Sequence, residues 1–145
     1  NAFNSGTLII NYMGHGNPYI LADEGILSIP DISSMTNADS LFVMSAMTCA
    51  AGEFALPGYD ALSEALLMKP DGGAVAVIAA SGPVLHANSR ILDEGLFSAL
   101  FATRAKTLGD ALLEACRYYH ARGAADDTLK IYNLLGDPAL RMPAP

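Results

Sequence analysis

Residues 41–47 read LFVMSAM and run on at 48–54 as TCAAGEF. The first seven residues carry no charge, and the run breaks at a threonine, a cysteine and a glycine. A membrane helix needs roughly 20 apolar residues, so this run is too short to span a bilayer. Its length and its turn-forming exit instead predict a strand buried on both faces. Upstream, TLIINYM at 7–13 has the same character and stops at Gly14; downstream, GGAVAVIAAS at 72–81 is a third such run with a glycine entry. The segments between them have helical spacing. IPDISSMTNAD opens near Pro30 and Asp31, and YDALSEALLMK places Leu62, Ala65, Leu66 and Lys69 behind Asp60, a candidate cap. Strand, helix, strand, helix, strand predicts an α/β fold with a mainly parallel sheet and right-handed crossovers. The strands are expected near 7–13, 41–47 and 74–80, with helices on both faces, a three-layer α/β/α arrangement.

Beyond the third strand the pattern changes to amphipathic helices, NSRILDEGLFSALFATR at 88–104 and TLGDALLEACRYYHARG at 107–123. DDTLKIYNLLGDPAL at 126–140 has acids in front and Gly136 with Pro138 behind, and reads as a helix stopping before a turn. No repeat, linker or low-complexity tract interrupts the chain, and 145 residues fit one domain. With 52% hydrophobic and 16% charged residues the composition is that of a folded protein. Fifteen acids against eight Lys and Arg give a net charge of −7, which repels nucleic-acid phosphates and anionic membranes. The start, NAFNSGTLII, has neither an initiator Met nor a signal-peptide pattern, and reads as a piece of a longer precursor.

In a parallel sheet, chemistry gathers at the carboxyl ends of the strands. His15, between two glycines in NYMGHGNP, lies just past the first strand, and Cys49 lies just past the second. Neighbouring strands about 4.8 Å apart would set their two loops side by side. An imidazole there can take the thiol proton and return it to a leaving amine, which is the chemistry of acyl transfer. The backbone N–H groups of Gly16 and Cys49 are the candidate oxyanion donors, since a glycine lets a carbonyl approach the main chain. His86 and Ser81, following the third strand on the same edge, are candidates for the substrate-pocket wall. Cys116 shares a helix face with Leu112 and Tyr119 and reads as a packed thiol, while His120 reads as a surface residue at a helix end. His15, Cys49 and His86 lack the short spacings of a metal site, and no GxGxxG or P-loop occurs, so neither a metal nor a cofactor is expected. Two cysteines without a CxxC pattern provide no disulfide framework.

NYMGHG, TCAAGEF, ALSEALL, GGAVAVIAAS, LGDALLEA and YNLLGDPAL, in this order, resemble the gingipain family of cysteine peptidases, relatives of the caspases. The resemblance runs from near residue 8 to 142. It implies a caspase-like fold, a peptide or protein substrate, and a cysteine endopeptidase acting through a Cys–His dyad and a thioacyl intermediate. His15 would be the base and acid, Cys49 the nucleophile, and Gly16 with Cys49 the oxyanion donors. Residues 1–145 resemble only the second half of the family's caspase-like unit, so the preceding half of the same precursor is an expected partner. His86 stands near the position where arginine-specific members carry an aromatic residue. The family also implies a secreted or cell-envelope location. Related domains act as sortase-like transpeptidases or signal-cleaving enzymes of bacterial secretion systems, and a catalytically silent caspase-like module within a larger protein is the third alternative.

Overall fold

A computed structural model describes residues 2–4 and 6–143. After a 3-10 turn at Ala2–Asn4, the elements are β1 (Ile9–Met13), β2 (Ile20–Leu21), β3 (Leu27–Ser28), α1 (Ile29–Ser33), β4 (Phe42–Met47), α2 (Leu62–Met68) and β5 (Ala74–Ala80). There follow α3 (His86–Phe97), a π-helical turn at Ser98–Ala102, α4 (Leu108–Ala121), α5 (Asp127–Ile131) and β6 (Tyr132–Gly136).

The three apolar runs form adjacent strands of one sheet, in the order β1-β4-β5-β6, with β1 at the edge and therefore only half-buried rather than covered on both faces. β1, β4 and β5 are parallel, with Asn11 beside Ser45 and Ser45 beside Ile78. All six residues of β4 are buried, because both faces of the sheet are covered. Alternate residues sort between those faces. Val43, Met47, Ala76 and Ile78 pack with Leu92 and Leu96 of α3 and with Leu108, Ala111, Ala115 and Tyr119 of α4. Phe42, Met44, Ala46, Val77 and Ala79 pack on the other side with Ile32 of α1, Leu62 and Leu66 of α2, and Leu21 and Leu27 of the small β2–β3 hairpin. On the first face α3 and α4 touch closely at Gly95, where a Cβ would stand 3.0 Å from Ala115 Cα.

Two expectations need correction. The stretch 126–140 is not one helix: it turns once as α5, and Tyr132–Gly136 then forms β6, antiparallel to β5 with Tyr132 beside Ala80 and Gly136 beside Ala76. Tyr-Asn-Leu-Leu has a strand's apolar content, and pairing along the open edge of β5 prevails over continuation of a one-turn helix. Nor does Asp60 cap α2. The N-cap is Ala61, whose N–H donates to Glu64 Oε2 at 2.9 Å one turn ahead.

Candidate active site

The loop after β1 is shaped by contacts that side chains at two positions would spoil. A Cβ on Gly14 would stand 2.6 Å from the Tyr12 hydroxyl, and one on Gly16 would stand 2.6 Å from Thr48 Oγ1. The Tyr12 hydroxyl passes across Gly14 to donate to the His15 carbonyl at 2.6 Å, and the same carbonyl accepts Ala22 N–H at 2.9 Å. Burial, with Glu24 next in weight, pushes the Tyr12 phenol up, so it stays a donor at neutral pH. The main chain of His15 is therefore fixed while its ring remains exposed. Gly16 faces Leu21 in an antiparallel bridge whose two hydrogen bonds belong to its neighbours, Asn17 N–H to Ile20 O and Ala22 N–H to His15 O. The Gly16 N–H takes no part in that bridge.

The loop after β4 is pinned to the loop after β5. Ala50 adopts φ 55, and its N–H donates to Gly82 O at 3.0 Å; Gly52 N–H donates to Ala80 O at 2.9 Å. A left-handed alanine costs roughly 1 kcal/mol, and these two bonds hold it there. The Cys49 sulfur lies against Val84, accepting its N–H at 3.5 Å and donating to its carbonyl at 3.6 Å. The start of α2 ties both loops together, since Leu62 N–H donates to Pro18 O at 2.7 Å and Ser63 N–H to Ala51 O at 3.0 Å.

His15 and Cys49 line one cleft of about 370 Å³, with Met47, Val84, His86 and Ser89 among its other walls. Gly16 lines an adjoining hollow of about 290 Å³ that shares His15 with the cleft, and it packs on Thr48, a residue of the cleft wall. Ser81 is not in the cleft wall; its hydroxyl donates to Ile131 O at 3.0 Å and joins the wall to the chain before β6. Cys116 lies half-buried on α4 against the first core, and burial pushes its thiol up. His120 pairs with Asp126 at 3.0 Å on the surface. Both cysteines are free, and among the described residues no three His, Cys, Asp or Glu side chains gather as metal ligands.

Five residues about the cleft were not singled out from the sequence. Tyr12 holds the His15 backbone. Thr48, 1% exposed, packs beneath Gly16 with its hydroxyl lacking a partner. Ser89 faces the cleft and accepts a hydrogen bond from the Tyr132 hydroxyl at 2.8 Å, fixing the first turn of α3 against β6. Burial, first of all, pushes the Tyr132 phenol up to about 12. One turn further along α3, Asp93 accepts hydrogen bonds from Asn11 at 2.9 Å and Ser45 at 3.4 Å. Burial raises its carboxyl above the usual range, although these two donors pull the other way. The only sequence signal for any of them is the pair of glycines beside Tyr12.

A parallel sheet with histidine and cysteine in successive strand-end loops is matched by a family model over residues 1–143, that of peptidase family C25. The chain belongs to peptidase family C25. This is the gingipain family, whose members are cysteine-type peptidases. Its fold is that of the Arg-specific cysteine proteinase gingipain R, with a TM-score of 0.88 at 22% identity over 97% of this chain and 34% of that one. The complex of Porphyromonas gingivalis RgpB pro- and mature domains gives 0.85 at 22% identity, over 97% of this chain and 35% of that one. A further structure described as a protease gives 0.86 at 19% identity, over 97% and 36%. The C25 chain thus spans about a third of the length of the structures it matches. No curated protein matches it. Among the described residues no helix is long and apolar enough to cross a membrane.

Proposed function

We propose that this C25 chain carries the catalytic dyad of a cysteine endopeptidase, with Cys49 as nucleophile and His15 as base and acid. The observation that supports this most is the shared cleft: a thiol and an exposed imidazole from two separate strand-end loops open onto the same space. In the first step the Cys49 proton passes to a ring nitrogen of His15 as sulfur bonds to the scissile carbonyl carbon. The negative charge on the carbonyl oxygen is held by the N–H groups of Gly16 and Cys49; each such donor is typically worth about 3 kcal/mol. Collapse breaks the C–N bond, and His15 gives its proton to the departing amine. Water then attacks the thioester carbonyl as His15 takes its proton, and the C–S bond breaks as His15 returns that proton to sulfur, restoring the thiol and the neutral imidazole. An amine in place of that water would give transpeptidation, for which no feature of the cleft speaks.

His86 forms part of the wall that meets the substrate side chain, and Ser81 acts by holding that wall rather than by touching substrate. Residues 1–145 form one catalytic subdomain, completed by the preceding half of its precursor. The outer edge of β1 supports this, being paired with no described strand. A secreted or cell-envelope location follows from the family resemblance alone. Cleavage of a mixed peptide library by the full-length protein tests the mechanism. Cys49→Ala should abolish turnover while leaving thermal stability nearly unchanged, and undiminished cleavage by that variant overturns the assignment.

A further inference from the structure

The eight Lys and Arg residues divide into two groups. Arg90, Arg117, Arg122 and Lys130 pair with carboxylates, and Lys69 donates to the Pro70 carbonyl. The other three, Arg104, Lys106 and Arg141, have no side-chain acceptor among the described residues. All three line one cavity of about 560 Å³. That volume falls within the roughly 300–1,000 Å³ of small-molecule sites.

The cavity has a fixed frame. Thr107 faces Arg141 in an antiparallel bridge, Met142 N–H donates to Lys106 O at 3.3 Å, and Leu108 N–H donates to Leu140 O at 2.9 Å. These bonds hold the segment bearing Arg104 and Lys106 against the one bearing Arg141. Asp110 is the one acid in the lining, so the wall carries a net charge of +2. The first turn of α4 adds no free donors at Leu108, Gly109 or Asp110, whose N–H groups are taken by Leu140 O, Pro138 O and Thr107 Oγ1. The attraction therefore comes from the side chains.

We infer that this cavity binds a compact multivalent oxyanion of the phosphate class. Guanidinium and ammonium groups are the side chains suited to such oxygens, and two arginines offer forked, bidentate contacts. Compactness follows from the rest of the surface. Removing the net +2 of the cavity wall from the overall −7 leaves −9 on the remainder of the chain, which repels an extended polyanion such as nucleic acid. The site is remote from the cleft. β6 leaves the sheet beside Ala76, at the start of β5, whereas the cleft lies beyond Ala80 at its other end. This inference does not depend on the dyad.

Calorimetric titration of the full-length protein with inorganic pyrophosphate at low ionic strength tests it. One site is expected, weakening steeply as salt is added. The charge-neutral variant R104Q/K106Q/R141Q should bind at least about tenfold more weakly, since several charge-assisted hydrogen bonds are lost. The control K69Q/R117Q should bind like the parent, and peptide cleavage should be unchanged in both. In the unaltered protein, pyrophosphate should protect Lys106 from an amine-reactive label more than it protects Lys69 or Lys130. Equal affinity of parent and triple variant, or absence of Lys106 protection, overturns the inference. Binding of a hexaglutamate peptide but not of pyrophosphate overturns it in favour of an acidic protein partner.

Discussion

Replacing Gly16 with alanine puts a methyl group where Thr48 already stands. The new Cβ would lie 2.6 Å from Thr48 Oγ1 and 3.2 Å from both Thr48 Cγ2 and Ile20 O. Ordinary contact begins near 3.4 Å, so Thr48 must retreat by about 0.8 Å from a position that is 1% exposed. Overpacking of this kind costs roughly 1–3 kcal/mol. An opposing contribution of about 0.4–1 kcal/mol comes from the stiffer unfolded chain, because the Gly16 backbone is not left-handed and suits alanine. The clash prevails, and Gly16→Ala should destabilise by about 1–2 kcal/mol. Thr48→Ala removes both clashing side-chain atoms, so the double variant should be more stable than the sum of the single effects by about 1 kcal/mol. Urea unfolding of the four proteins measures the cycle. Additivity within roughly 0.5 kcal/mol would refute the close packing of Thr48 under the Gly16 loop.

Three further outcomes follow from buried and half-buried ionisable groups. Tyr132, pushed up to about 12, keeps its proton in the folded protein while the unfolded chain loses it from near pH 10. Its contribution to stability is present below pH 10 and is lost between about pH 10 and 12, so alkaline unfolding of Tyr132→Phe should show a shallower slope there than the parent. Asp93 has a raised carboxyl, so its contribution is greatest when protonated and declines as pH rises through its folded value. Asp93→Asn should therefore gain stability relative to the parent at pH 7, with the gain shrinking in acid, as thermal unfolding across pH would reveal. Cys116, half-buried and with its thiol pushed up, should react with a thiol reagent at pH 7 much more slowly in the folded protein than in urea, as read by peptide mass mapping. Equal rates would show that α4 does not pack the Cys116 side chain against the core.

β4 and β5 were legible because burial on both faces leaves an unmistakable record, the runs at 41–47 and 74–80 corresponding to strands at 42–47 and 74–80, whereas the run at 7–13 gives the half-buried edge strand at 9–13. Strand-end chemistry then placed His15 and Cys49 in neighbouring loops, since a parallel sheet sends both loops to one edge. What sequence could not supply was pairing between distant segments. β6 exists because an open edge of β5 waits for it, a tertiary fact that five residues after a helical turn do not carry. Thr48, Ser89 and Tyr132 are common residues whose importance lies in what they touch, and those contacts join positions far apart in the chain. Glu64 prevailed over Asp60 at the start of α2 because it reaches back to the Ala61 N–H. Ser81 drew attention by its place at the end of β5, yet its hydroxyl is turned toward Ile131.

The activation of Cys49 by His15 is most directly tested by labelling the full-length protein with a peptidyl acyloxymethyl ketone and mapping the adduct by mass spectrometry. The mechanism predicts a single thioether on Cys49, formed in preference to Cys116 and suppressed by competing peptide substrate. It also predicts that His15→Ala forms the same adduct at least about tenfold more slowly, since general-base assistance typically contributes a factor of roughly a hundred or more. An adduct on Cys116 with Cys49 untouched, or labelling of Cys49 at the same rate with and without His15, would contradict it.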